Sequence, residues 1–176
     1  PTRFSAETLK ERSWNKAALQ QLTGLEIDSS IPLFGIVSRM TGQKGIDLAL
    51  SALSKLKKDA WQAVILGTGD PAIEKQAKRL EELFPDRVKV EIRYDDRLAR
   101  KIYAGSDLFL MPSRYEPCGL SQMVAMRYGC IPIARATGGL RDTIKNGETG
   151  FLFEEESAKA LLKSMREALK VYENNA

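Results

Sequence analysis

Short apolar runs alternate along the chain with longer stretches in which apolar residues recur every three or four positions. The runs of strand type cover residues 33–37, 63–66, 88–92, 108–111, 131–134 and 150–153. Each is followed by a helical period, the last of them built on Leu161, Leu162, Met165 and Leu169. Strands that are apolar on both faces and alternate with helices predict an α/β fold, a doubly wound parallel sheet of about six strands with helices on both faces.

A further helix is predicted before the first strand. Trp14, Ala17, Ala18, Leu19 and Leu22 share one helical face, and Gly24 follows as a stop. We assign residues 1–30 to a linker with an edge helix and residues 31–176 to a single domain. The length of 176 residues, with 43% hydrophobic residues, suits one core.

Composition excludes several classes of function. The net charge of +4 comes from alternating charges without a basic block, so we expect no nucleic-acid partner. No apolar run approaches the ~20 residues of a membrane span. The chain has no histidine and only two cysteines, so it offers neither histidine-based catalysis nor a zinc site, and we expect no metal and no cofactor. It begins at Pro1, and we expect it to be part of a longer protein.

The stretch from 112 to 129 is the strongest candidate site. A buried run ends there, Pro117 and Gly119 break the pattern, and a helical period resumes with Leu120, Met123, Val124 and Tyr128. Gly119 lets a ligand approach the unpaired N–H groups of a helix start, which favours an anion. Glu116 in this loop is either a carboxylate that binds sugar hydroxyls or a residue that starts the helix.

Other loops that follow strands also carry candidates. Arg39 and Lys44 either converge on one phosphate group or are solvated surface cations. Tyr94 offers a flat face for stacking a base, although an aromatic residue there also suits packing. Gly138 and Gly139 either admit a ligand or serve a tight turn.

Two features of the loops argue against other chemistries. Gly67, Thr68 and Gly69 are similar to half of a dinucleotide fingerprint, but the third glycine is missing and the loop follows the second strand rather than the first. Cys118 has no basic partner nearby in sequence, so its backbone rather than its thiol is the expected contact. A dehydrogenase and a cysteine nucleophile are therefore not supported.

Taken in order, these motifs resemble one family over nearly the whole chain. They are Val37-Ser-Arg39, Gln43-Lys-Gly45, Ser106-Asp107, the stretch from Pro112 to Gln122 that reads PSRYEPCGLSQ, and Thr137-Gly-Gly-Leu-Arg-Asp142. The pattern resembles the C-terminal domain of bacterial glycogen synthases and plant starch synthases. These are retaining GT-B glucosyltransferases, which extend an α-1,4-glucan from ADP-glucose between two Rossmann-like domains.

The resemblance implies a role for each candidate. Arg39 and Lys44 would hold the diphosphate of the donor and offset its charge as it leaves, and Glu116 would bind hydroxyls of the transferred glucose. Tyr94 would stack on adenine. The remaining donor-binding candidates are Cys118, Gly119, Leu120 and Ser121 along the loop and helix start, Thr137, Gly138 and Gly139 along the cleft, and Gly67, Thr68 and Gly69.

The chain departs from the wider pattern in two ways. Many GT-B relatives have a second, ribose-binding glutamate eight residues after the first. This chain has Val124 there, and glycogen and starch synthases often lack that glutamate too. The motif Lys-X-Gly-Gly-Leu of the family's N-terminal domain, which carries much of the glucan acceptor site, does not occur within these 176 residues. We therefore expect the donor-binding half of an enzyme, which binds ADP weakly and transfers no glucose.

Two alternatives to this interpretation stay open. One is a GT-B transferase domain that uses UDP-glucose, and the other is a non-catalytic nucleotide- or glucan-binding module. The expected location is the cytoplasm for a bacterial protein and the plastid for a plant protein.

Overall fold

A single parallel sheet forms the centre of the protein in a computed structural model that describes residues 2–57 and 59–174. Its strands are β1 (Leu33–Val37), β2 (Gln62–Gly67), β3 (Val88–Ile92), β4 (Leu108–Met111), β5 (Ile131–Arg135) and β6 (Phe151–Phe153). Their order across the sheet is β3-β2-β1-β4-β5-β6, and every neighbouring pair is parallel. The chain builds the sheet outward in one direction from β1 to β3, then returns to the other side of β1 with β4.

One α-helix precedes the first strand, five connect successive strands, and one follows the last strand in the described part of the chain. They are α1 (Arg12–Thr23), α2 (Ile46–Leu53), α3 (Pro71–Leu83), α4 (Asp96–Gly105), α5 (Ser121–Arg127), α6 (Gly138–Thr143) and α7 (Ala158–Glu173). Asp70, Asp95 and Ser157 cap α3, α4 and α7 by accepting hydrogen bonds from backbone N–H groups of the first turn. None of the helices in the described part of the chain is long and apolar enough to cross a membrane.

Two apolar layers lie on the opposite faces of the sheet. Along β2, Ala63 and Ile65 contact the layer built with α2, α3 and α7, whereas Val64 and Leu66 contact the layer built with α1, α4, α5 and α6. All four side chains are at most 2% exposed. Burial on both faces explains why the strands are continuously apolar, and it confirms the predicted doubly wound fold.

The face that α1 turns to the core differs from the predicted one. The helix exists, but Trp14 is 69% exposed and Leu22 is 55% exposed. Its buried residues are Asn15, Lys16, Leu19 and Gln20. The apolar spacing therefore located the helix correctly, but of its five apolar residues only Leu19 is buried, because polar partners on the sheet determine how α1 is oriented.

Those partners centre on Asp107, which precedes β4. Lys16 Nζ lies 2.7 Å from Asp107 Oδ2, and the same oxygen accepts a hydrogen bond of 2.9 Å from the Leu33 N–H. Arg12 contributes a longer contact of 3.5 Å to Asp107 Oδ1 and donates from Nε to the Tyr128 carbonyl oxygen at 2.9 Å. This buried network ties α1 to the amino ends of β1 and β4, at the edge of the sheet opposite the candidate site.

Candidate functional site

The reversal of strand order between β1 and β4 creates the candidate site. Ligands of open parallel sheets bind beyond the carboxyl ends of the strands at such a reversal, because the two connections leave to opposite sides and open a crevice. The loop after β1, residues 38–45, carries Arg39 and Lys44. The loop after β4, residues 112–120, carries Glu116.

The two loops are joined directly by one backbone hydrogen bond and one side-chain hydrogen bond. Arg114 N–H donates to the Gln43 carbonyl oxygen at 2.8 Å, and Gln43 Nε2 donates to the Tyr115 carbonyl oxygen at 3.2 Å. Gly45, with a φ of 64°, lies so close to Pro112 that a Cβ at this position would be 2.0 Å from the Pro112 carbonyl oxygen. A glycine is therefore required immediately after Lys44.

This junction brings two of the predicted residues into contact. Lys44 Nζ lies 2.6 Å from Glu116 Oε2, with the two side chains 21% and 9% exposed. Ser113 Oγ donates to the same carboxylate oxygen at 3.1 Å. The ammonium group of Lys44 and the carboxylate of Glu116 are therefore adjacent, and each is slightly exposed. They can present opposite charges to two parts of one ligand.

Arg39 lies in the same loop as Lys44 but without a partner for its side chain among the described residues. It is exposed, and only its backbone carbonyl oxygen is engaged, by the Thr41 N–H at 2.9 Å and the Ser38 hydroxyl at 3.1 Å. The guanidinium group is therefore available to a ligand at the loop after β1.

Two arginine side chains, Arg114 and Arg135, hold the Glu116 loop in place. Arg114 makes a bidentate ion pair with Asp47 of α2, with both distances 2.8 Å, and its Nε donates to Glu156 at 2.7 Å. These two carboxylates raise the pKa of Arg114, and its hydrogen bonds in turn lower the pKa of Asp47. Arg135 Nε donates to the Ser113 carbonyl oxygen at 2.9 Å.

The helix start after this loop has the geometry that the sequence predicted. Gly119 adopts a φ of 69°, and α5 begins two residues later without a side-chain cap. Cys118 is exposed, Leu120 is 69% exposed, and Ser121 is partly buried beside Tyr103. The first-turn N–H groups of α5 therefore lie after the Glu116 loop without a side-chain cap at the N-cap residue.

Gln122, which sequence reasoning did not single out, supports that turn. Its side chain is fully buried and its Nε2 donates to the carbonyl oxygens of Cys118 and Gly119 and to Thr143 Oγ1, at 3.2, 2.8 and 3.0 Å. The apolar residues at the start of the predicted stripe, Leu120, Met123 and Val124, are instead exposed beside the site.

The start of α6 packs against the Glu116 loop. Gly139 N–H lies 3.1 Å from the Glu116 carbonyl oxygen, and a Cβ on Gly139 would be 2.0 Å from the Cys118 carbonyl oxygen. A Cβ on Gly138 would be 2.1 Å from the Glu116 carbonyl oxygen. Thr137 precedes them, partly buried and without a capping side-chain hydrogen bond. Close backbone packing accounts for both glycines before any ligand is considered.

Backbone packing also accounts for the loop after β2. A Cβ on Gly67 would lie 1.8 Å from the Ser38 carbonyl oxygen, and one on Gly69 would lie 2.6 Å from that of Met40. Met40 N–H donates to the Thr68 carbonyl oxygen at 3.0 Å. Residues 67–69 therefore support the backbone of the Arg39 loop from the neighbouring strand.

Tyr94 is the most distant of the predicted residues. It follows β3 at the edge of the sheet and is 87% exposed. With neighbouring strands about 4.8 Å apart, β3 lies roughly 10 Å from β1, which is within the span of an extended nucleotide. Among the described residues, no group of three or more metal-ligating side chains was found.

Two cavities lie away from these loops. One, of about 270 Å³, lies between α1 and α4 next to Leu22 and Lys101. The other, of about 570 Å³, lies near the amino ends of β4 and β5, next to Asp107 and Tyr172. The candidate site lies instead at the carboxyl edge of the sheet.

The chain is similar to known proteins over nearly its whole length. Residues 22–176 match the profile of the family described as "Glycosyl transferases group 1". The chain is 49% identical over 180 residues to a glycogen synthase of Kosmotoga olearia, covering 99% of this chain and 38% of that protein. A glycogen synthase of Lactococcus lactis is 47% identical, with 98% of this chain and 37% of that protein covered.

A solved starch synthase structure has a similar fold. The catalytic domain of starch synthase IV from Arabidopsis thaliana, bound to ADP and acarbose, superposes with a TM-score of 0.91 at 37% identity, over 97% of this chain and 37% of that one. The chain thus spans somewhat over a third of the length of the relatives that it matches. It belongs to the glycosyl transferases group 1 family and has the fold of the C-terminal domain of a GT-B enzyme.

Proposed function

We propose that this chain is the donor-binding domain of a glucosyltransferase that extends an α-1,4-glucan from ADP-glucose with retention of configuration. The observation that carries the proposal is the contact of Lys44 with Glu116 at the strand-order reversal. The likeness to glycogen synthases and to a starch synthase bound to ADP supports the choice of donor.

The charges of the site match the two ends of such a donor. Arg39 and Lys44 bind the diphosphate and stabilise the negative charge that develops on it as the bond to glucose breaks. The uncapped start of α5 after Gly119 adds backbone N–H groups to the same anion. Glu116 accepts hydrogen bonds from glucose hydroxyls, because an ionised carboxylate has only acceptors to offer.

The outer residues complete the binding surface. Tyr94 stacks on adenine, and its 87% exposure leaves its ring free to do so. Thr137 and the backbone of residues 118–121 border the sugar and the phosphates. The glucan acceptor is bound mainly outside residues 1–176, and this chain alone transfers no glucose. The exposed side of α5 at Met123 and Val124 fits a surface that another part of the enzyme covers.

Isothermal titration with ADP, ADP-glucose and UDP tests the proposal. We expect weak binding of ADP, tighter than that of UDP, and a loss of about tenfold or more in Arg39→Ala and in Lys44→Ala, since each removes a charge-assisted hydrogen bond. Lys163→Ala is the matched control, because it removes one positive charge from the exposed side of α7, where the side chain is 81% exposed.

Each outcome has a defined meaning. The proposed site is contradicted if ADP does not bind, or if Arg39→Ala and Lys44→Ala both bind ADP as tightly as the wild type. A clear preference for UDP replaces the donor with UDP-glucose. Glucose transfer by the isolated chain contradicts the assignment of the acceptor to another part of the enzyme.

A further inference from the structure

The ion pair between Lys44 and Glu116 joins two of the charged groups that are proposed to bind the donor. Lys44 Nζ is 2.6 Å from Glu116 Oε2, and the carboxylate side chain is only 9% exposed. Ser113 adds its hydroxyl to the same oxygen. The carboxylate therefore occupies the position at which the lysine would hold an anionic ligand, and the lysine neutralises the carboxylate.

We propose that this pair acts as an exchange switch that makes the site bind the intact nucleotide sugar in preference to the nucleoside diphosphate, an inference that rests on the proposed function. The diphosphate takes Lys44 away from Glu116, and the hydroxyls of the sugar then replace the lysine at the carboxylate. A nucleoside diphosphate without the sugar makes only the first exchange. It leaves Glu116 largely buried without its cation, which is unfavourable.

The backbone around the pair is arranged so that side chains alone can make the exchange. The Glu116 carbonyl oxygen accepts from Gly139 N–H at 3.1 Å, and the loops on either side are joined by the 2.8 Å hydrogen bond from Arg114 to Gln43. Lys44 has a long flexible side chain that is already 21% exposed. The lysine can turn to a ligand while the carboxylate stays in place.

The switch has a consequence after glucose transfer. Once the sugar has left, ADP still holds Lys44, but no sugar hydroxyls contact Glu116. The Glu116 carboxylate then competes with the diphosphate for Lys44. The pair therefore weakens the binding of the nucleotide product relative to the donor. Product release is the step that it favours.

The substitution Glu116→Gln should change the binding of ADP and of ADP-glucose in opposite directions. Glutamine retains an acceptor for Ser113 but cannot hold Lys44 by charge. We expect ADP to bind about fivefold more tightly, equivalent to about 1 kcal/mol for a partly exposed ion pair. ADP-glucose should bind about tenfold more weakly, because the ionised acceptor for its hydroxyls is lost. Both dissociation constants can be measured by NMR titration, which extends to weak binding.

A double-mutant cycle distinguishes the switch from simple repulsion between the carboxylate and the phosphates. In a Lys44→Met background there is no lysine to release, so Glu116→Gln should change ADP binding by less than about twofold. A fivefold tightening that persists in this background overturns the proposal. The charge control is Glu154→Gln, whose side chain is 75% exposed and pairs with Arg141, and which should leave both ligands unaffected.

Glu116→Asp covers the case in which glutamine disturbs the fold, as checked by thermal unfolding. The shorter carboxylate reaches Lys44 less well, so ADP should again bind more tightly than to the wild type. Unchanged or weaker ADP binding in the folded Glu116 variants overturns the switch while leaving the donor site intact. Absence of binding of both ADP and ADP-glucose to the wild type refutes the proposed function itself.

Discussion

Replacing Gly45 by alanine should destabilise the junction that brings Lys44 to Glu116. Gly45 has a φ of 64°, and an added Cβ would lie 2.0 Å from the Pro112 carbonyl oxygen. The left-handed conformation costs an L-residue roughly 1–2 kcal/mol. Real Cβ atoms essentially never approach closer than 3.0 Å, so the two backbones must also separate by about 1 Å. Overpacking of this kind costs about 1–3 kcal/mol.

The combined loss is about 3 kcal/mol. For a domain of this size each kcal/mol lowers the melting temperature by about 2–4 °C, so we expect a decrease of about 9 °C. Thermal unfolding followed by circular dichroism measures it. ADP binding by the folded variant should also weaken, because the residue that must move is adjacent to Lys44.

Gly42 provides a control in the same loop. It has no positive φ, and an added Cβ would meet nothing within 4 Å. Gly42→Ala should therefore change the stability by no more than about 0.5 kcal/mol. If Gly45→Ala melts at the same temperature as Gly42→Ala and the wild type, the close packing of this loop against Pro112 is wrong.

Two further changes test the electrostatics of the fold. Asp107→Asn leaves the Lys16 ammonium group buried without its carboxylate, so the free energy of unfolding measured in urea should fall by about 3 kcal/mol. Glu148→Gln removes an ion pair whose side chains are more than 70% exposed, and it should change that free energy very little. Equal losses in the two variants would contradict the role of the buried network. The pKa of Asp47 lies below its ordinary 3.8 because of its hydrogen bond with Arg114, so the pair stabilises the fold above that pH and loses its effect as the pH falls through the lowered value. The unfolding free energies of wild type and Asp47→Asn should differ by about 1 kcal/mol near neutral pH and converge below pH 3.8; a constant difference would contradict this origin.

The backbone groups that pack against the glycines could not be predicted from the sequence. Turn chemistry and ligand access were equally good explanations of Gly138 and Gly139 from the sequence. Only the packed structure shows the carbonyl oxygens of Glu116 and Cys118 that lie against them. The same holds for Gly67, which meets the Ser38 carbonyl oxygen. A sequence reveals that a position needs glycine, but not which distant backbone requires it.

The residues that hold the site were missed for a related reason. Arg114 belongs to a motif that was recognised, yet its partner Asp47 is 67 positions away. The apolar spacing of Leu120, Met123 and Val124 predicts the helix, but these residues are exposed and Gln122, which is not part of that pattern, is buried. Arg135 follows a buried run, and its position at a strand end was the one available signal.

The sequence by itself determined the elements, the fold class and the family, because the hydrophobic period and the motifs are local properties of the chain. It also identified Arg39, Lys44 and Glu116 as the residues to examine. The tertiary structure decided which of them meet, since strand order brings together loops that are 72 residues apart. It likewise decided that α1 buries Lys16 rather than Trp14, because the Asp107 carboxylate at the sheet edge is a partner that no local pattern reveals.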